Sequence, residues 1–228
     1  MQPITIVSAT RRNESDFHAK SFLGLSLSQY KDYPIKSKIF FNNSRGLSAC
    51  YNDAIREAND AEEILVFVHD DVLIVDFFWM EKIHSGFTKF SILGLAGNRR
   101  RVPRQPSWAF VDDKLTWDNF TNLSGIVGHG RHFPCHLSKY GPSWQECKLL
   151  DGVLLVTKKG IVAKEHLSFD ERFDFHFYDV DFCRQAELQN LRMGTIPLGV
   201  IHESSGRTSY GSKLWKTNYE KYLDKWKE

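Results

Sequence analysis

Residues Glu63-Ile-Leu-Val-Phe-Val-His69-Asp70-Asp71-Val72 decide the reading of this 228-residue chain. An unbroken run of aliphatic and aromatic residues reads as a strand buried on both faces. It ends abruptly in an imidazole and two carboxylates. Parallel strands that deliver acidic groups at their carboxyl ends are how open α/β sheets build ligand sites. Ionised carboxylates near a core are costly unless a cation meets them, and a divalent metal would do so.

The flanking segments supply the rest of such a sheet. Ile4-Thr-Ile-Val-Ser8 is a short β-rich stretch. Ser15 is a plausible cap for a helix through Tyr30, with Phe22, Leu23, Leu25 and Leu27 as its apolar positions. Ile39-Phe40-Phe41 is a second strand ending in Asn42-Asn43. Leu47 to Ala58 has helical spacing, with Tyr51, Ala54 and Ile55 on one face. This β-α-β-α-β order predicts a doubly wound, mainly parallel Rossmann-like sheet with helices on both faces. Further on, a helix is expected from Asp76 to Lys89 and strands over 91–96, 149–157 and 195–201. Another helix should run from Asp179 to Asn190. Residues 98–148 lose clear periodicity and are rich in Trp, His, Pro, Gly and Arg. So long an irregular stretch inside a compact domain is usually functional, here an acceptor pocket or a lid. No repeat or linker divides residues 1–228, so one domain is expected.

Composition excludes some classes. A formal charge of +2 gives no global footprint for nucleic acid. No apolar run approaches the ~20 residues of a membrane span. Cys50, Cys135, Cys147 and Cys183 show no metal-like spacing and read as reduced thiols, and the N-terminus reads as a strand, not a leader; a cytoplasmic location is expected. His129, His132 and His136 are loosely spaced and lack the cysteine partners of structural zinc. Arg99-Arg100-Arg101 with Arg104 could grip a diphosphate, though such runs are more often solvated. Residues 206–228 contain an amphipathic helix over 213–226, with Trp215, Tyr219, Tyr222 and Trp226 on one stripe. Docking onto the domain is expected, and peripheral membrane contact is the alternative.

Several polar groups at strand and helix ends could converge: His69, Asp70, Asp71, Asp151, His202, Asp179 and Asp181. Tyr178-Asp179-Val180-Asp181 sits at a helix start, where the dipole favours carboxylates. In order, four segments resemble the GT-A fold glycosyltransferases, in particular the short bacterial glycosyltransferase-like group of the large, mainly inverting family. Gly46-Leu-Ser-Ala-Cys-Tyr51-Asn52 is similar to that group's small-residue helix. Val66-Phe-Val-His69-Asp70-Asp71 falls where the family carries Asp-x-Asp, in a His-x-Asp variant. Leu150-Asp151-Gly152 with Phe169-Asp170-Glu171 resembles the acceptor-side segment. Phe177-Tyr178-Asp179-Val180-Asp181 with Arg184, Gly194 and His202 resembles the Glu-Asp-x-Asp motif and its following strand.

The resemblance implies a nucleotide-sugar donor, most readily a UDP-sugar, and a glycan or lipid-linked acceptor. It implies Mn²⁺ or Mg²⁺ at Asp71 with His69 and His202, and Asp179 as the general base of an inverting transfer. His69 departs from the commoner Asp: it is either a direct ligand favouring Mn²⁺ or a contact to ribose or metal-bound water. Ser8, Thr10, Arg11, Asn43 and Asp70 would hold the nucleotide. Asp151, Gly152, Asp181 and Trp108 would face the sugar or the acceptor. Two other readings stand beside this one: a non-catalytic nucleotide-sugar or glycan-binding module, and a metal-dependent phosphohydrolase suggested by the His69-Asp70 pair.

Overall fold

In a computed structural model that describes residues 2–203 and 210–228, the apolar run is strand β3 (Ile64–Val68), buried along its whole length. Before it come β1 (Ile4–Ala9), α1 (Glu14–Lys20), α2 (Phe22–Gln29), β2 (Ile35–Phe40) and α3 (Leu47–Glu57). β1 pairs in parallel with both β2 and β3, as the alternation of elements requires. The single helix expected through Tyr30 is two helices. Ser21 ends the first and caps the second, its Oγ accepting from the Gly24 N–H at 2.9 Å. Asn13, not Ser15, caps α1.

After β3 follow β4 (Val72–Ile74), α4 (Trp79–Gly86), β5 (Ile92–Gly94), β6 (Ala96–Asn98), β7 (Leu123–His129), β8 (His136–Gly141), β9 (Glu146–Cys147) and β10 (Leu149–Leu150). Then come β11 (Leu154–Lys158), α5 (Lys159–Lys164), α6 (Tyr178–Leu188), β12 (Met193–Thr195), β13 (Val200–His202) and α7 (Lys213–Trp226). The strands form a main sheet ordered β2-β1-β3-β11-β5-β12-β9 and a second sheet ordered β10-β6-β7-β13-β4, with β8 paired to β7. β11 runs antiparallel to both β3 and β5, which makes the main sheet mixed.

Each of the strands expected over 91–96, 149–157 and 195–201 is two strands. The chain leaves the main sheet after β5 and β12, and enters it between β10 and β11. Both sheets bury these segments, so an apolar run carries no mark of where it changes sheet. The expected irregular region 98–148 holds the antiparallel β7–β8 pair and β9, and its longest stretch between strands is 99–122.

α7 docks onto the domain. Trp215, Tyr219 and Tyr222 are buried around Phe177, with ring centroids 5.5, 5.6 and 5.4 Å from it. That stripe is therefore spent on packing and is not free for a bilayer. Of the expected segment 206–228, residues 206–209 lie outside those described. Among the described residues no helix is long and apolar enough to cross a membrane.

Candidate active site

β3 delivers His69, Asp70 and Asp71 at its carboxyl end. The chain then turns into β4, whose antiparallel pairing with β13 sets His202 opposite Val72. A bond from the Glu203 N–H to the Asp71 carbonyl, 2.9 Å, closes this corner. As a result His202 Nε2 lies 3.2 Å from Asp71 Oδ2. His69, Asp71 and His202 each offer one ligand atom, and these atoms lie within 4.8 Å of one another.

Burial alone would raise the Asp71 carboxyl, but the bond and charge of His202 outweigh it and hold the group below its ordinary value. Burial pushes His69 down, while the Asp71 carboxylate raises His202 against its own burial. Asp71 Oδ1 is buried without a hydrogen-bond partner. An orphaned carboxylate oxygen between two imidazoles is a donor set that suits a borderline divalent cation such as Mn²⁺. The residues present fit the ion.

Tyr178 ties this cluster to α6. Its hydroxyl lies 2.8 Å from the Gly152 carbonyl and 2.8 Å from His69 Nε2. The phenol has one proton and the carbonyl can only accept it. His69 therefore donates through Nε2–H, which leaves Nδ1 as its free lone pair. Gly152 occupies a position where a Cβ would come within 2.4 Å of that hydroxyl and 2.9 Å of the Asp179 Cβ, so only glycine fits. The Gly152 N–H donates to Asp179 Oδ2 at 3.0 Å. Phe177, at φ 71°, sets the entry to α6 in the left-handed region, and α7 packs over it. Asp179 borders the cavity, where burial, and then the nearby Asp151, push its carboxyl from 3.8 to about 7.

His69, Asp71, His202, Asp151, Gly152, Asp179 and Trp108 thus line one cavity of about 690 Å³. The other expected site residues lie elsewhere. Asp181 is fully buried on the far side of α6, held by Lys225, Gln185 and the indole N–H of Trp226, and does not reach the cavity. Two positions along a helix turn a side chain by roughly 200°, which is why neighbouring acids face opposite ways. Asp70 turns away from the metal cluster to accept from the Thr10 hydroxyl at 2.5 Å. Asn43 joins Thr10 through its backbone N–H, at 2.8 Å, and Arg11 is exposed nearby. Ser8 is fully buried and its hydroxyl has no partner. Arg100 and Arg101 are engaged by Asp118 and by Glu187 and Glu228. His129 and His136 face each other across β7 and β8 and line the cavity, but with His132 they form no metal cluster among the described residues.

Sequence reasoning passes over four contributors. Tyr178 is noticed only as part of a motif, because its bond to His69 spans 109 residues. Phe175 stacks on His69 with centroids 5.8 Å apart. Trp117 stacks on Phe120 at 5.8 Å and on Tyr140 at 6.1 Å, forming an aromatic wall. Neither Trp117 nor Phe120 lies in a periodic segment, so no sequence signal marks them.

The similarities of the chain to known proteins bear on its fold and its family. No curated protein sequence matches it. Among solved structures it resembles GalNAc-T7 with UDP, GalNAc and Mn²⁺ (TM-score 0.54, 11% identity, 98% of this chain and 48% of that one). It also resembles the catalytic domain of Drosophila β1,4-galactosyltransferase 7 in complex with xylobiose (0.53, 11%, 96% and 80%). A third is S. aureus TarS (0.51, 13%, 90% and 37%). The chain thus spans less than two thirds of the length of TarS and of GalNAc-T7. At these identities the likeness is one of fold, the GT-A glycosyltransferase fold. The model of the glycosyltransferase-like family matches residues 10–224, nearly the whole chain, and the protein belongs to that family.

Proposed function

We propose that the protein transfers a sugar from a nucleoside-diphosphate sugar to a hydroxyl acceptor, with inversion, and that Asp179 is the base. The observation that carries this reading is the convergence of His69, Asp71 and His202 with Asp179 in one cavity. His69, Asp71 and His202 would hold Mn²⁺ or Mg²⁺, which when bound neutralises charge on the departing nucleoside diphosphate. Tyr178 keeps His69 in one tautomer and one orientation. Thr10, Asp70 and Asn43, joined at the ends of β1 to β3, are suited to the nucleoside.

Asp179 takes the proton of the acceptor hydroxyl as it attacks the anomeric carbon. Its raised proton affinity suits that task better than an ordinary carboxylate would. Asp151 and Trp108 face the acceptor or the transferred sugar. The UDP and Mn²⁺ present with GalNAc-T7 favour a UDP-sugar donor and manganese. The four cysteines are free, which suits a reducing cytoplasmic setting. The test is release of nucleoside diphosphate from a panel of UDP-, GDP- and dTDP-sugars, with and without Mn²⁺. Metal-dependent release from at least one sugar supports the reading. The absence of both release and binding across the panel counts against it.

A further inference from the structure

Between Asn119 and Gln145 the chain contains no aspartate or glutamate, and its formal cations there are Arg131 and Lys139. The same stretch carries Phe133, at 80% the most exposed large apolar side chain among the described residues. Leu137, Phe120 and Ile126 are exposed beside it at 66%, 56% and 42%. The register of β7 and β8 sets Ile126 and Leu137 on one face of the hairpin, and Phe133 lies in the turn that joins the two strands. Leu137 and Phe120 both border the cavity, and Trp117 stacks on Phe120 and on Tyr140 of β8.

A soluble chain seldom leaves contiguous apolar groups in water unless something covers them. Phe77 and Phe78 are also exposed, but they do not border the cavity. Within the hairpin itself the formal charges are the two cations, Arg131 and Lys139. The Arg131 side chain is 83% exposed, and its contact with Glu203 at 3.4 Å is a surface pair of little strength. Exposed aromatic and aliphatic tips interleaved with two cations, with Asp118 buried against Arg100, complement an anionic headgroup layer.

We propose that the β7–β8 hairpin, with the adjoining Trp117 and Phe120, is a docking rim for the surface of an anionic bilayer. It would hold the mouth of the cavity at headgroup level, within reach of an acceptor carried by a lipid. The lipid-borne acceptor rests on the transfer reading, whereas the docking itself does not, because vesicle binding needs no donor.

The test is co-sedimentation of the full chain with vesicles of phosphatidylglycerol and phosphatidylcholine in equal parts, against phosphatidylcholine alone. The protein should bind the anionic vesicles and release them as salt rises. Arg131→Gln and Lys139→Gln should each weaken binding about 5-fold, and Phe133→Ser about 10-fold. Phe77→Ser, at an exposed phenylalanine elsewhere, should leave binding unchanged. Thermal melts of each variant separate lost binding from lost folding. No binding to anionic vesicles at low salt, or a Phe133→Ser variant that binds like the parent, would overturn the proposal. So would a hairpin-dependent dimer that ignores vesicles, which assigns the face to a second copy.

Discussion

On one side of the cavity, His69, Asp71 and His202 stand at the ends of strands whose pairing fixes them; on the other, Trp108, Trp117 and Phe120 stand on the loop and short turn that precede β7. The first wall takes its rigidity from sheet register. The second is organised by one carboxylate. Asp118 is almost fully buried and accepts from Arg100, Asn98 and Asn122, which pull its carboxyl far below the ordinary range against its burial. The difference teaches a division of labour: the cluster suited to an ion is fixed by sheet pairing, and the aromatic wall sits on a loop buttressed by one buried carboxylate.

The largest effect that would sharpen this contrast is expected at Asp179. Asp179→Asn keeps the shape but removes the proton acceptor. Turnover should fall about 10²–10⁴-fold with nucleotide binding nearly intact. Parent turnover should rise with pH through about 7, where the carboxyl ionises. Stability moves the other way. The folded chain keeps this proton from pH 3.8 to about 7 while the unfolded chain has lost it, so this group's contribution falls across that window. Melting curves of the parent and of Asp179→Asn should therefore diverge as pH rises, with the variant gaining. If Asp181→Asn abolishes turnover and Asp179→Asn does not, the base is assigned to the wrong acid.

A smaller effect is expected at Tyr178. Tyr178→Phe frees the His69 ring from its acceptor and should weaken Mn²⁺ binding about 10–100-fold, measured by electron paramagnetic resonance of the free ion, without lowering the melting temperature by more than a few degrees. Unchanged affinity would mean that sheet register alone orients His69. The smallest effect is expected on the other wall. Asp118→Asn should cost about 1–3 kcal/mol and speed proteolysis between residues 99 and 119, with Mn²⁺ affinity unchanged. In the parent, saturating UDP and Mn²⁺ should barely alter that cleavage, because the segment is already anchored. Strong protection by ligand would make it a lid.

The first wall was legible because burial on both faces writes itself as an apolar run, and the acids that interrupt it stand out. The α/β architecture followed from the alternation of such runs with amphipathic stretches, and its GT-A type from the resemblance carried by the four motif segments. What stayed hidden were changes of partner. Leu95, Asp151 to Val153 and Ile196 to Gly199 carry the chain between two sheets that are equally apolar. The β7–β8 hairpin alternates weakly because exposed Ile126 and Leu137 stand among its polar residues. Asp118 gives no local sign of its role, since its partners lie up to 20 residues away. Asp181 looked like a site residue by proximity to Asp179, and only the packing of Lys225 and Trp226 from α7 reveals it as a structural anchor.

The central claim is that His69, Asp71 and His202 hold the ion that anchors a nucleoside diphosphate. Calorimetric titration of UDP into the parent and into Asp71→Ala, each with and without Mn²⁺, tests it most directly. The parent should bind UDP far more tightly with the ion than without it. Asp71→Ala should retain its fold and lose that difference entirely. Equal Mn²⁺ enhancement in the two proteins would contradict the assignment.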